Sequence, residues 1–348
     1  MAVMKVIPGD ENYYSLCALL TVAMQLSFFA VATTFKFDLV TDFAGSSNFI
    51  LLAVLTLILS GNGSTRALVL TVMVIISRAY LACFLLFRVC TRKSDARFDE
   101  TRDDFCKFLG FWFFQMMWAF FVSMPVIYVN SRADVNPPLG AFDYIGWILS
   151  FSGIVIQVVA DMQKHGFRKD PANRGQFCRV GLWSYSRHPN YFGEILVWTG
   201  AFVCTLPVIK GNSDQIAAGM ATVLSPIFTV LILVFLSGMP TSEGIYLERF
   251  YNNGQGEAWE EYAKVTAPIV LMPNSLYRAL PDQVKLLCCC ELPFLRYPGD
   301  SSSSKMEKSK KPQMGPEGAP SLELEIDEVS FGEGEASSSM EVPSSGIV

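Results

Sequence analysis

An all-α bundle of about seven membrane-spanning helices is the fold this sequence predicts. Composition is the first reason: of 348 residues, 51% are hydrophobic and only 17% charged, short of the charge a soluble chain carries. Second, the apolar residues gather in runs long enough to cross a bilayer as helices, at about 14–35, 43–60, 66–88, 107–128, 141–162, 190–208 and 216–238. Third, the cations fall in alternate loops. Open sheets would leave backbone groups unpaired in lipid, so helices are the only reading of these runs.

The chain opens on a short polar segment, residues 1–13, with no cleavage-site signal ahead of the first span. The second span is short. Between the third and fourth lie Arg88, Arg92, Lys93, Arg97 and Arg102, and between the fifth and sixth Lys164, Arg168, Lys169, Arg174, Arg179 and Arg187. After the seventh come Arg249, Lys264, Arg278 and Lys285, whereas the opposite loops hold little beyond Arg66, Arg132 and Lys210. This bias places the N-terminus in the lumen and the C-terminus in the cytosol. The sequon at Asn62 is then lumenal, and too close to the membrane to be glycosylated.

The domain expected to span the membrane runs over 14–285, and residues 286–348 form a Cys cluster and a tail. Residues 240–265 carry Leu247, Phe250, Tyr251, Trp259 and Tyr262 among charges, the pattern of amphipathic helices lying at the surface. Ile269 to Pro273 reads as a strand or turn docking back on the bundle. From Pro298 onward the chain is Ser, Glu, Gly, Pro and Lys, too poor in apolar residues to bury a core. The nine cysteines show no CxxC or Cys/His metal spacing, and no metal site is expected. Cys17, Cys83, Cys106 and Cys204 read as small hydrophobes. Cys288, Cys289 and Cys290, beside Leu286, Leu287 and Phe294, are either inert or acylated. Nothing suggests a nucleic-acid partner; the bilayer and a lipophilic small molecule are the partners expected, and the oligomeric state stays open.

The stretch most suggestive of chemistry is Gly181-Leu-Trp-Ser-Tyr-Ser-Arg-His-Pro-Asn-Tyr-Phe-Gly-Glu194. Pro189 suits a first helical turn, which leaves Arg187 and His188 at a helix N-terminus where an anion is favoured. Asn190 and Glu194, four apart, share one face just inside the membrane. Upstream, Asp161, Lys164, His165 and Arg168 recur at helical spacing, so an acid, a histidine and two cations face one way. A ligand with several phosphates, such as a dinucleotide, fits there, although no GxGxxG or P-loop motif is present. Positive-inside topology alone explains the cations but not Asn190 and Glu194 inside them. Among other charges in the spans, Arg78 and Asp42 either lock helices together or touch a ligand. Gln115 and Gln157 read as interhelical hydrogen bonds.

Asp161-Met-Gln-Lys164, Phe167-Arg-Lys-Asp-Pro-Ala-Asn-Arg-Gly175 and the Gly181–Glu194 stretch resemble the membrane proteins with a steroid 5-alpha-reductase-type C-terminal domain. The branch resembled is the large one once labelled a domain of unknown function. Asp42 to Ser46, Ser77-Arg78 and Phe111 to Gln115 are similar to its N-terminal half; Ser237 to Pro240, Glu243, Leu247, Tyr262 and Ile269 to Pro273 are similar to its end. The resemblance implies an NADPH-dependent reductase of a carbon–carbon double bond conjugated to a carbonyl, in the endoplasmic reticulum, with the cofactor entering from the cytosol into a half spanning about 141–275. It implies that Asn190 and Glu194 meet the cofactor's amide and ribose end, that Asp161 and Arg168 meet its adenosine and phosphates, and that Lys164, Arg187, His188, Tyr191, Glu243 and Tyr262 belong to the same site. The characterised steroid reductases polarise the substrate carbonyl with a Glu and a Tyr in the N-terminal spans; here Asp42 and Tyr80 are the nearest candidates by location. A 3-oxo steroid, another polycyclic enone and an enoyl lipid all remain open as substrate.

Membrane methyltransferases of the isoprenylcysteine and phospholipid types share Arg-His-Pro-x-Tyr-x-Gly, and they bind S-adenosylmethionine. Asn190 and Glu194 together, with Asp161-Met-Gln-Lys164, favour the reductase. A receptor or scaffold that kept the fold and lost the chemistry is the third alternative.

Overall fold

The structure, a computed structural model, describes residues 4, 6–35, 41–92, 104–211 and 213–297; the side chains of residues 42, 88–92, 213 and 245 also lie outside the described set. The acidic tail expected from Pro298 onward and most of the basic loop before the fourth span therefore fall outside the described residues.

Hydropathy and length decide the long elements. α1 (Tyr14–Phe35), α2 (Thr41–Ser60), α3 (Thr65–Arg92), α4 (Phe105–Ser131) and α5 (Ala141–Lys169) are continuous helices. α4 is started by Asp104, whose carboxylate accepts from the Cys106 and Lys107 amides. α5 starts at Gly140, whose amide donates to the Asp143 carboxylate at 2.9 Å. The sixth and seventh spans are broken where continuous helices were expected. α6 (Pro189–Val203) stops before α7 (Leu206–Lys210), and the seventh is built from α8 (Ile216–Met220), a 3-10 turn, α9 (Leu224–Leu231) and a π turn at Ile232–Leu236. Pro207 and Pro226 account for the breaks: each lacks an amide hydrogen and crowds the carbonyl four residues back. Among the described residues, seven segments are long and apolar enough to cross a membrane, and the protein is a polytopic helical bundle.

In lipid, apolar burial alone does not drive helices together, so packing and interhelical hydrogen bonds of about 0.6 kcal/mol each carry the association. The Asn130 amide of α4 donates to Ala53 O at 2.9 Å and to the Thr56 and Thr71 hydroxyls at 3.1 Å, tying α2, α3 and α4. Gln115 donates to Gln25 at 2.9 Å and to Thr41 O at 3.0 Å, the interhelical role expected of it. Arg66 at the start of α3 reaches the buried Asp143 carboxylate at 2.9 Å. The Asn62 side chain is buried, its amide donating to Val129 O at 2.9 Å, so the sequon is closed to modification.

The closest pair is α5 with α6, and glycine is the reason. A Cβ on Gly153 would stand 2.5 Å from Gly193 O, and one on Gly200 would stand 2.4 Å from Gly146 O. With hydrogens there instead, the two backbones touch, and Ser150 Oγ donates to Val197 O at 3.0 Å between them.

Beyond the spans, α10 (Glu248–Asn252), α11 (Gly256–Val265), α12 (Asn274–Ala279) and α13 (Asp282–Cys289) follow. The amphipathic helices expected over 240–265 are α10 and α11, and their aromatic face is covered by protein: Leu247, Phe250, Trp259 and Tyr262 pack around Phe177. Ile269 to Pro273 docks on the bundle as a turn rather than a strand. Ser186 Oγ donates to Ile269 O at 2.7 Å and the Arg187 amide to Ala267 O at 2.9 Å.

Candidate functional site

The close approach of α5 and α6 brings the polar residues at one end of the pair face to face. Stepping from the glycines toward the end that the charge bias assigns to the cytosol, Gln157 meets Glu194, then Asp161 meets Asn190. Gln157 Nε2 donates to Glu194 Oε2 at 3.1 Å, and Asn190 Nδ2 donates to Asp161 Oδ1 at 3.2 Å. The third wall is α3. Its fully buried Arg78 donates through Nη2 to Glu194 Oε2 at 2.6 Å and to Ser77 Oγ at 2.8 Å. Trp198, one turn on from Glu194, donates to the other carboxylate oxygen at 2.7 Å, and the Arg78 guanidinium lies 5.2 Å from that indole's centroid. The carboxylate is thus held on both oxygens by three side chains from three helices. Tyr80, two residues beyond Arg78, lies near the Asp161 carboxylate, and its hydroxyl is a further buried group with no hydrogen bond among the described residues.

Buried polar atoms normally find partners, so those without one are informative. Arg78 Nε and Nη1, Gln157 Oε1 and Asn190 Oδ1 make no hydrogen bond among the described residues. Arg78 and Gln157 meet at Glu194 Oε2, and Asn190 stands one turn away on α6 beside Asp161, so these two donor atoms and two acceptor atoms belong to neighbouring side chains of α3, α5 and α6. A ligand head that offers both a carbonyl oxygen and N–H groups, such as a carboxamide, fits that donor and acceptor set.

A second cluster lies just outside α6. Arg187 sits between two carboxylates, with Nε 3.2 Å from Glu243 Oε1 and Nη2 2.9 Å from Glu291 Oε2. His188 is 2.8 Å from the same Glu243 oxygen and stacks on Tyr191, ring centroids 4.9 Å apart and nearly parallel. Tyr277 donates to Glu291 at 2.7 Å, and Tyr262 donates to the carbonyls of Trp183 and Ser186. Burial pushes the His188 imidazole below its usual range, more than its hydrogen bond to Glu243 restores. For Glu243, burial would raise the carboxyl, but Arg187 and the His188 bond together hold it below its ordinary value. A carboxylate only accepts, so the neutral imidazole carries its hydrogen on Nε2. Arg187 stays charged, since Glu243 and Glu291 outweigh its burial.

Of the residues singled out in sequence, the buried Glu194 pairs with Arg78 and the buried Asp161 takes the half-buried Asn190, with half-buried Tyr80 nearby. Arg187, His188, Tyr191, Glu243 and Tyr262 share the neighbouring cluster, where the Arg187 cation and the neutral His188 ring both meet acids rather than standing open to an anion. Lys164 lies over the Trp183 ring at 4.2 Å, and Arg168 is at the exposed end of α5. The side chain of Asp42 lies outside the described residues. Sequence reasoning did not pick out Trp198, Tyr277 or Glu291, and it took Gln157 for a plain interhelical contact. The seven-residue spacing of Gly146 to Gly153 and of Gly193 to Gly200 is the signal that announces a tight helix pair beside Gln157.

Comparison with known proteins gives a family match and a distant curated relative. The family model described as "Protein of unknown function (DUF1295)" matches residues 28–266. A relative from Ustilaginoidea virens named "Probable O-methyltransferase ustE" is 29% identical over 84 residues, which is 24% of this chain. The matched stretch spans 30% of that relative's length. No solved structure matches.

Proposed function

The chain belongs to the DUF1295 family, and we propose that it is a membrane-embedded, NADPH-dependent reductase of a conjugated carbon–carbon double bond in a lipophilic substrate. One observation carries this reading: buried donors and acceptors without partners on Arg78, Gln157 and Asn190, three neighbouring side chains gathered around Glu194 and Asp161. Asn190 and Gln157 turn acceptors toward a carboxamide's N–H groups, and Arg78 turns donors toward its carbonyl. Glu194 fixes Arg78 and Gln157 in that orientation, and Asp161 fixes Asn190. Asp161, Lys164 and Arg168, on successive turns of α5, lead outward to the adenosine and phosphate end. When bound, the nicotinamide supplies the hydride. Tyr80 polarises the substrate carbonyl through its hydroxyl, and the surrounding apolar helices exclude water. The reading carries with it an endoplasmic-reticulum location and the steroid-reductase likeness of the Gly181–Glu194 stretch.

A second reading is favoured by the relative named as an O-methyltransferase. In it the same polar head holds the amino-acid end of S-adenosylmethionine, which also offers donors and a carboxylate. Thermal unfolding of the purified protein with each cofactor separates the two. A rise in melting temperature with NADPH and none with S-adenosylmethionine supports the reductase. The opposite pattern replaces it with a methyltransferase.

A further inference from the structure

Three consecutive cysteines, Cys288, Cys289 and Cys290, close α13, and their environments differ sharply. Cys289 is buried at 1% exposure, and Cys290 is half-buried at the helix C-cap with φ of 61°. Burial, with the neighbouring cysteines, pushes both of those thiols up. Cys288 is exposed.

The segment that follows is held against the ends of the spans. Cys290, Leu292 and Leu295 pack with Val230 and Val234 of the seventh span and with Tyr191 and Ile195 of the sixth. Phe294 stacks on Phe235, centroids 6.4 Å apart, at the last turn of the seventh span. This end is the one that the charge bias assigns to the cytosol. Cys288 follows Leu287, which is 79% exposed, and Phe294 in the docked segment after it is 61% exposed. Large exposed apolar side chains at the level of a bilayer interface belong in the headgroup region.

We propose that Cys288 is an S-acylation site. The Cys288 sulfur attacks the carbonyl carbon of a long-chain acyl thioester. A carbon–sulfur bond forms to Cys288 and the one to the carrier thiol breaks, with the Cys288 proton ending on that departing thiol. Nothing is oxidised or reduced. The acyl chain then lies in the bilayer beside Leu287. In a chain that already crosses the membrane, the chain's effect is local: it holds down the segment that carries Glu291, which receives Arg187 at 2.9 Å and Tyr277 at 2.7 Å. The proposal is independent of which cofactor the spans hold.

The test is hydroxylamine-dependent exchange of thioesters for a polyethylene-glycol maleimide, on the full chain expressed in eukaryotic membranes. Wild type and Cys289→Ser should each show a single hydroxylamine-dependent mass shift, and Cys288→Ser should lose it. Cys288 is exposed, so its serine variant folds. Absence of the shift from wild type, or its persistence in Cys288→Ser through Cys290 or Cys106, would overturn the assignment.

Discussion

Arg78 of α3 and Glu194 of α6, 116 residues apart in sequence, meet at 2.6 Å with both side chains buried inside the bundle. An isolated charge there would cost several kcal/mol, whereas each of these has the other together with neutral hydrogen-bonding neighbours. Arg78→Met leaves the carboxylate without its counter-charge and should destabilise the detergent-purified protein by about 3–5 kcal/mol. Replacing both residues by Met should recover most of that loss. Equilibrium unfolding of the single and double variants checks it, and an Arg78→Met variant as stable as wild type would show that the pair does not join these helices.

The helix pair beside the site should tolerate no side chain. Gly153→Ala and Gly193→Ala each drive a methyl group against backbone, 2.5 and 2.6 Å from the facing carbonyl oxygen. Overpacking of this kind costs about 1–3 kcal/mol, and it would part Gln157 from Glu194. Both variants should melt earlier than wild type and lose cofactor binding, while Gly166→Ala, with nothing within 4 Å, should do neither.

Acid should weaken the cluster outside α6. His188 releases its proton more readily when folded than its ordinary value of 6.5. Between its folded value and 6.5 the unfolded chain therefore binds more protons, and stability falls as pH drops through that window. Glu243 acts in the same direction lower down, its contribution complete above 4.5 and lost as pH falls through its depressed folded value. Melting temperature followed against pH should decline below about 6.5, and His188→Gln should flatten the upper part of the decline. A melting temperature indifferent to pH between neutrality and 5 would contradict the burial of a neutral imidazole.

How much of this was legible follows from the range of the forces involved. The spans could be read because hydropathy acts over each run by itself, and the helical face carrying Asp161, Lys164 and Arg168 because spacing is local. The breaks in the last two spans were signalled by Pro207 and Pro226, whose local effect was outweighed by continuous apolarity. What pairs with Glu194 could not be read, since Arg78 reaches it only after α3 packs against α6. Glu291 lay beyond the expected cofactor half, in a segment with no motif, and only folding brings it to Arg187. The apolar stripe of α11 reads the same whether lipid or Phe177 covers it.

If the partnerless atoms at α3, α5 and α6 hold the amide end of NADPH, a change at Asn190 must weaken binding. Its Nδ2 donates to Asp161 and its Oδ1 has no partner among the described residues, so truncation removes one ligand bond together with the bond to Asp161. A net hydrogen bond of about 0.5–1.5 kcal/mol corresponds to a loss of roughly threefold to tenfold in affinity. Calorimetric titration of NADPH into purified wild type and Asn190→Ala should show that loss with the variant's melting temperature otherwise little changed. NADPH binding equally well to both, or failing to bind wild type while S-adenosylmethionine binds, would rule out a nicotinamide held at Asn190.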